Sequence, residues 1–451
     1  MRQKGTVPLV SKGGMVMSTK EETQRMRKTN MRIFPTYKKM AWDYLFFYSI
    51  DFLFFTQIKN ISPSDVVLKS TFYSLFAMLM QIPANILVEF LGRKNSLILG
   101  NVLNCFYMAI IMLSRNLGDL IFAEFISAFA ICIKKVAEPS LLNESIPPSK
   151  YKSQIYAKIN AKGASGYYLF NAISKIIAGF LFAINGYLPI ICSLTVLILA
   201  TILSIGFVEP IRRKKKSINE LLNKKQIEDM KEGFSYILKS ERLKALILCS
   251  SLIVTLIVIL SNYHVSLLKD LKLSSVIIGF IAAGGSFVSS YASKKQEKFH
   301  NKFRNKSLIT IAMMLSISTL LAGICGLKAE GYKILIIIII LINLVYHFCN
   351  GMYSTIIDKY LRNFSNKEID TKIFAAKNLF ANIVRVIGGL CASFLLDKMA
   401  TAYCMIIMGI IFTILYLLMG KYMSKRVGLK PEEYSKEEKK YDEQKQIQGE
   451  V

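Results

Sequence analysis

Residues 332–357 read YKILIIIIILINLVYHFCNGMYSTII, and this stretch contains the unbroken apolar run LIIIIILI at Leu335–Ile342. In a soluble protein that run would suggest a buried strand. Here it lies inside a longer apolar segment, and ~20 such residues are enough for an α-helix to cross a bilayer. An open strand edge would leave backbone polar groups unsatisfied in hydrocarbon. The stretch therefore predicts a transmembrane helix.

Similar segments recur along the 451 residues, of which 53% are hydrophobic, and the formal net charge is +28. This composition excludes a disordered chain and a small disulfide-stapled domain, and it is not that of an ordinary cytosolic enzyme. The eight cysteines fall in eight different apolar segments without CxxC pairs or metal-ligand spacing. They are interpreted as small buried apolar residues, and no metal or cofactor site is predicted.

The sequence predicts an all-α polytopic membrane protein with twelve transmembrane helices. The first six candidate spans are Met40–Ile58, Asp65–Leu87, Ser96–Ser114, Asp119–Leu142, Ala157–Phe182 and Tyr187–Val208. The second six are Leu243–Val265, Ser275–Ser293, Ser307–Leu327, Tyr332–Ile357, Ile373–Leu396 and Thr401–Tyr422.

These spans divide the chain into two six-helix halves, 40–208 and 243–422. A polar, basic tail (1–39) and a second tail (423–451) flank them, and residues 209–242 form a linker with amphipathic helical spacing. The halves echo each other at an offset of about 210 residues, as in a duplicated transporter fold. Lys175-x-x-x-Gly179 matches Arg385-x-x-x-Gly389, and Lys162 matches Lys372 in the same register.

Basic residues concentrate in the tails, the linker and alternate loops, as the positive-inside rule requires if both termini are cytoplasmic. These cations would face an anionic lipid leaflet, so the lipid bilayer and not nucleic acid is the predicted partner of the positive charge. The richness in Ile, Lys and Asn suggests a bacterial inner membrane.

The end of the second span reads Asn85-Ile-Leu-Val-Glu89-Phe90-Leu-Gly92-Arg93-Lys94. This resembles the loop signature of the major facilitator superfamily, G-x-x-x-D-R-x-G-R-K/R, with Asn, Glu and Phe at three signature positions. The preceding Gln81-Ile82-Pro83 and the later Phe207-Val-Glu209-Pro210 also resemble bacterial, multidrug-efflux-like members. The resemblance implies the major facilitator fold, in which two pseudo-symmetric halves rock around a central site.

Within this loop, Gly92 permits a tight turn with positive φ, and Arg93 and Lys94 anchor the interface. The resemblance implies that Glu89 belongs to a gate that latches the halves together, near Lys372 or Lys377 at the start of the eleventh helix. The alternative is a loop that only fixes topology.

Ionisable groups inside spans are functional candidates, since each costs ~2.5–3.5 kcal/mol near the helix centre. The candidates for proton coupling are Asp51, Glu124 and His347, and the candidates for the substrate cavity are Tyr48, Lys134, Lys135, Lys175, Asn262, Asn350 and Arg385. Lys175 and Arg385 could hold an anionic group, or they could neutralise acids such as Asp51. His347 could relay protons or simply pack among aromatic residues, and Glu138 could neutralise part of the fourth-helix cluster.

These features favour a secondary transporter that moves a small organic solute by alternating access. The resemblance implies that it works as a monomer. Resemblance to exporters favours proton-coupled efflux of amphipathic compounds. The alternatives are uptake or exchange of an anionic or zwitterionic metabolite, and lipid flipping. No Walker A pattern is present, and the three histidines lack the H-E-x-x-H spacing of a metalloprotease, so a membrane-embedded enzyme is the distant alternative.

Overall fold

The structure is a computed structural model, and it describes residues 20–149, 151–209, 225–364 and 370–423. Within these ranges the chain folds into helices and no strands. The helices are α1 Lys20–Ala41, α2 Asp51–Leu53 with a π-helical turn Phe54–Ile58, α3 Pro63–Leu91, α4 Arg93–Leu113, α5 Leu117–Ser145, α6 Lys152–Ile184, α7 Leu188–Ile205, α8 Lys225–Lys239, α9 Glu241–Asp270, α10 Ser275–Phe303, α11 Ser307–Lys328, α12 Ile334–Phe364, α13 Asp370–Lys398 and α14 Thr401–Met423.

Several helices begin where a polar side chain caps the first turn. Ser62 accepts the backbone N–H of Asp65 at the start of α3, and Asn116 accepts that of Asp119 at the start of α5. Ser274 caps α10 in the same way. Each cap satisfies a backbone donor that has no partner within the helix, so these short polar loops set the helix boundaries.

Ten helices are long and apolar enough to cross a membrane: α3, α4, α6, α7 and α9 to α14. The predicted all-α multi-span fold is therefore confirmed, although ten of the described helices and not twelve meet this criterion. The predicted fourth span corresponds to α5, whose Glu124, Lys134, Lys135 and Glu138 lower its hydropathy. It nevertheless packs along α3 and α4 inside the bundle.

The first span differs from the prediction. The expected continuous helix Met40–Ile58 is broken by turns at residues 42–50, and the crossing begins earlier, in α1. Asn30 donates to the carbonyl of Val208 after α7, whereas Lys59 donates to the carbonyl of Met112 at the opposite end of the bundle. The sequence pattern assigns residues 20–39 to a polar tail, because their charged side chains lower the hydropathy of the segment below that of a membrane span. In the fold these residues are part of α1.

Contacts within the bundle neutralise part of the charge on α1. The ammonium of Lys38 lies 2.7 Å from the Glu138 carboxylate on α5 and also donates to Asn160 on α6. Phe34 and Tyr37 are fully buried on the same helix. Tertiary pairing therefore keeps a polar segment in the bundle, and single-sequence hydropathy does not register such pairing.

The helices form two halves, α1–α7 and α9–α14, that meet along α3 with α13 and α6 with α10. We call the end of the bundle next to α8 the linker side and the end where α3 begins the far side. Ser393 on α13 donates to the Ser64 carbonyl on α3, and Ser275 on α10 donates to the Gly179 carbonyl on α6. These contacts between the halves lie toward the far side.

Within the predicted linker, Lys225–Lys239 form helix α8. Its Ile237 is buried, and its Phe234 lies 6.3 Å from Phe380 of α13 between ring centroids. The linker helix thus packs against the C-terminal half. Residues 210–224 of the predicted linker lie outside the described residues.

Candidate functional site

The break between α1 and α2 brings polar groups into the middle of the N-terminal half. Phe46 adopts a left-handed backbone conformation with φ of 69°, which turns the chain away from the α1 axis. The buried Lys134 ammonium donates to the carbonyl of Ala41, the last residue of α1. A cation is favoured at a helix C-terminus, so this contact gives Lys134 a structural role at the break.

Asp51, the first residue of α2, lies beside a buried ion pair. The Lys69 ammonium on α3 is 3.1 Å from Oε1 of Glu124 on α5, and both side chains are 5% exposed. The Tyr107 hydroxyl donates to the same carboxylate oxygen at 3.2 Å. Asp51 is within electrostatic range of both Lys69 and Glu124. We call Asp51, Glu124 and Lys69, two carboxylates and one ammonium, the acid–lysine cluster.

Neighbouring groups hold this cluster in place. The Asp51 carboxylate accepts the backbone N–H of Phe52 at 2.7 Å, and the Lys69 ammonium lies 4.5 Å from the Phe55 ring centroid. The cation–π contact is favourable in a dry environment. Buried charges in a membrane domain need such partners, so the cluster is a constrained site and not a set of solvated side chains.

A third acid, Asp43, lies in the break itself. Its carboxylate accepts a hydrogen bond of 2.9 Å from the Tyr167 hydroxyl on α6, and it lies within electrostatic range of Lys134 and Lys175. Lys175 is half-buried and donates to Ser286 of α10 at 2.8 Å. Lys175 therefore places a positive charge of the N-terminal half at the interface between the halves.

Two further cations come from opposite halves of the bundle. Lys135 on α5 and Arg385 on α13 lie close enough for their charges to repel. Arg385 donates to Asn382 at 3.1 Å, while its buried Nε atom has no hydrogen-bond acceptor among the described residues. We call Lys135, Lys175 and Arg385 the cationic group, and Asp43 lies within electrostatic range of its two lysines.

The remaining candidates occupy other positions. Tyr48 lies in the break and is 44% exposed, with its ring 5.4 Å from that of Tyr44. Asn262 on α9 makes a long contact of 3.5 Å with Ser70 of α3, and Asn350 is half-buried on α12.

His347 packs closely against α10. A Cβ added to Gly285 would overlap its imidazole ring, and the Tyr346 ring lies 4.9 Å away between centroids. Its backbone carbonyl accepts a hydrogen bond from Ser289. These contacts support the packing interpretation of His347, and the proton relay remains a prediction.

The loop between α3 and α4 contains the signature-like residues. Gly92 has φ of 83°, which confirms the predicted positive-φ turn. The Glu209 carboxylate accepts the backbone N–H groups of Arg93 and Lys94 at 3.0 and 2.8 Å, and so caps α4. The Arg93 guanidinium pairs with Glu89 at 3.1 Å. The expected latch from Glu89 to α13 stays a prediction, and the Lys372 side chain lies outside those described.

The sequence reasoning missed Lys69, Asp43 and Glu209 as site residues. Lys69 lies within the predicted second span, so the rule that flags ionisable residues in spans could have found it. Asp43 lies within the predicted first span, so the same rule could have found it. Glu209 caps a helix that lies far from it in the sequence, so no local sequence pattern indicates this role.

Comparison with known proteins places this architecture in a family. The sequence profile described as Major Facilitator Superfamily matches residues 41–365. A search of curated protein sequences finds no match to the chain.

Several solved structures are similar in fold. A mutant form of the nucleoside transporter NupG is 11% identical with a TM-score of 0.64, and the match covers 89% of this chain and 99% of that one. A POT family transporter in complex with 5-aminolevulinic acid is 15% identical, with a TM-score of 0.59 and coverage of 89% and 96%. A D-xylose-proton symporter is 12% identical, with a TM-score of 0.60 and coverage of 88% and 97%.

The family profile spans more than half of the chain, and the helices reproduce the two-half architecture of these transporters. The protein is thus a multi-pass membrane transporter and not an enzyme. The chain belongs to the major facilitator superfamily.

Proposed function

We propose that the protein is a secondary transporter that moves a small anionic or zwitterionic organic solute by alternating access, as uptake or exchange. It works as a monomer in a bacterial inner membrane, with its termini and linker on the cytoplasmic side. The observation that carries the proposal is the cationic group, Lys135, Lys175 and Arg385, contributed by both halves. The buried, acceptor-free Nε of Arg385 belongs to it.

The charge balance supports an anionic solute. Asp43 is the acid within electrostatic range of Lys175, and it can offset one of the three positive charges. Uncompensated charge is costly inside a membrane domain, whereas a carboxylate or phosphate bound to a guanidinium gains charge-assisted hydrogen bonds. A solute that brings negative charge to the interface between the halves would bind there and contact both of them.

The acid–lysine cluster supports proton coupling. Asp51 and Glu124 together carry one more negative charge than Lys69 neutralises. Uptake of one proton by the cluster would remove this excess charge, which is costly inside a membrane domain. In the proposed cycle Asp51 carries this proton, because Glu124 is already engaged by Lys69 and Tyr107.

Proton-coupled efflux of amphipathic compounds is the second candidate. Exposed aromatic side chains at the break favour it, since Trp42 is 43% and Tyr48 is 44% exposed. Trp42 packs on Tyr167 with ring centroids 4.7 Å apart. Flat aromatic surfaces beside an acid such as Asp43 suit lipophilic cations, which are attracted to aromatic faces.

Counterflow in proteoliposomes separates the two candidates. Labelled organic anions, zwitterions and lipophilic cations would be presented to wild type, Lys135→Gln and Arg385→Gln, with Lys398→Gln as control. Lys398 is an exposed lysine at the end of α13 that pairs with the adjacent Asp397. We expect counterflow of an anion or zwitterion that falls at least about tenfold in the two cavity variants, since a charge-assisted contact contributes ~1.5–3 kcal/mol. The control should keep the wild-type rate.

Counterflow of lipophilic cations alone, unchanged in Arg385→Gln, would contradict the proposal and favour efflux of amphipathic compounds. Equal loss in Lys398→Gln would also contradict it, because the effect would then follow from the change of net charge and not from the cationic group.

A further inference from the structure

Helices α11 and α14 pack closely toward the far side. A Cβ added to Gly323 of α11 would lie 2.6 Å from the carbonyl oxygen of Ala402, and one added to Gly409 of α14 would lie 2.8 Å from the Leu320 backbone. Only glycine allows the backbones to approach this closely. These two positions therefore fix the crossing of the two helices.

Toward the linker side the same helices pack less closely. At Gly420 an added Cβ would meet only the Ile309 side chain, at the ordinary distance of 3.5 Å. The gap between the helices is a groove with a cavity volume of about 820 Å³, and α12 contributes Ile342 and Val345 to its wall. Its lining is mostly apolar, with Met313 and Met314 among the side chains. The groove therefore results from the way the two helices cross, and not from one small side chain in its wall.

The groove opens to the outer surface of the C-terminal half. Ile317 and Leu321 on α11 and Leu417 on α14 line it, and each is more than 40% exposed. Apolar side chains on the outer surface of a membrane-spanning bundle face the lipid chains. The groove therefore lies where an acyl chain can enter sideways from the bilayer.

Positive charge lies at one end of the groove. Lys306, just before α11, and Lys421, in the last turn of α14, both line it and are both exposed. This end is the linker side, where the helices leave the apolar layer. Lysines at that depth attract anionic lipid headgroups, each contributing ~1 kcal/mol.

We infer that the groove between α11 and α14 is a binding site for an anionic phospholipid. An acyl chain fills the apolar part along Met313 and Leu417, and the headgroup phosphate lies between Lys306 and Lys421. The long apolar groove with two cations at one end is complementary to a lipid with a negatively charged headgroup. Binding of this lipid is independent of the transported solute. The site is distinct from the cationic group, which lies at the interface between the halves.

Native mass spectrometry of the detergent-solubilised full chain tests this inference, with phosphatidylglycerol and phosphatidylethanolamine of identical acyl chains as probes. We expect wild type to retain one phosphatidylglycerol in preference to phosphatidylethanolamine. The double variant Lys306→Gln/Lys421→Gln should lose that preference by about fivefold per lysine. Gly420→Trp, which fills the groove, should retain less of both lipids.

Two controls make the result specific. Lys306→Arg/Lys421→Arg keeps the charge and should keep the preference. Lys298→Gln/Lys302→Gln removes two lysines from α10 near the same side and should also keep it. The inference is overturned if wild type retains both lipids equally, or if the Lys306/Lys421 glutamine variant and the α10 control lose phosphatidylglycerol to the same extent.

Discussion

At the scale of single residues, the proposed role of Asp51 depends on the charge of Lys69, which the sequence alone does not pair with it. Lys69 is held by Glu124 at 3.1 Å and by the ring of Phe55, so its charge is fixed near the Asp51 carboxylate. Removal of Asp51 would leave the Lys69–Glu124 pair intact. Removal of Glu124 would instead leave Lys69 without its closest carboxylate partner, and breaking a buried pair is strongly destabilising.

Asp51→Asn should therefore uncouple protons from the solute without unfolding the protein. We expect solute-triggered acidification or alkalinisation, read with a pH-sensitive dye in proteoliposomes, to fall at least about tenfold. Counterflow of the solute, which needs no net proton movement, should persist. The control Asp397→Asn alters a half-exposed acid at the end of α13. Undiminished proton flux in Asp51→Asn would place coupling on another group and contradict this role.

At the scale of elements, the starts of the apolar helices were predictable to within a few residues because their hydrophobic runs are long. The ends of α10 and α12 were not, since these helices continue past the predicted Ser293 and Ile357 to Phe303 and Phe364, through charged segments that the hydropathy pattern excludes. The prediction failed at α1, where Lys38 is compensated by Glu138, and at the break after Ala41, whose carbonyl is satisfied by Lys134. Both depend on contacts between helices. The same distinction between local pattern and contacts between helices applies to the site. Charged residues in spans could be identified from the sequence, but which of them pair could be seen only in the folded structure.

The sequence repeat acquires a structural meaning at this scale. Lys175 and Gly179 belong to α6, which packs on α10, and Arg385 and Gly389 belong to α13, which packs on α3. An added Cβ at Gly179 would lie 2.7 Å from the Ser275 carbonyl oxygen, and one at Gly389 would overlap the Thr71 side chain. The repeated motif thus places a cation next to a close helix contact at both interfaces between the halves.

Valine at either glycine should separate these interfaces. For Gly179→Val and Gly389→Val we expect counterflow to fall by about tenfold or more and thermal unfolding in detergent to occur at a lower temperature, since overpacking costs ~1–3 kcal/mol. Gly284→Val is the matched control, because an added Cβ there would lie 4.0 Å from the nearest side-chain atom, on Leu344. Wild-type transport in both valine variants would show that the close contacts are not needed.

At the scale of the whole molecule, the two halves touch through hydrogen bonds toward the far side. Ser64 and Ser393 form one such contact across the halves, with 2.9 Å between the hydroxyl and the carbonyl oxygen. Alternating access requires this closure to open during transport. A covalent cross-link across this closure would hold the transporter in one state. A similar cross-link inside one half would move with that half as a rigid body and would not block transport.

Reducible cross-linking of cysteine pairs tests this account most directly, in a background with the eight native cysteines replaced. The pair Ser64→Cys/Ser393→Cys spans the halves. The control pair Ser266→Cys/Thr401→Cys lies within the C-terminal half, where the two hydroxyls are 2.8 Å apart. We predict that cross-linking the first pair stops solute counterflow and that reduction restores it, while the control pair transports in both states. Counterflow that continues at the full rate with Ser64 and Ser393 cross-linked would contradict transport by rocking of the two halves.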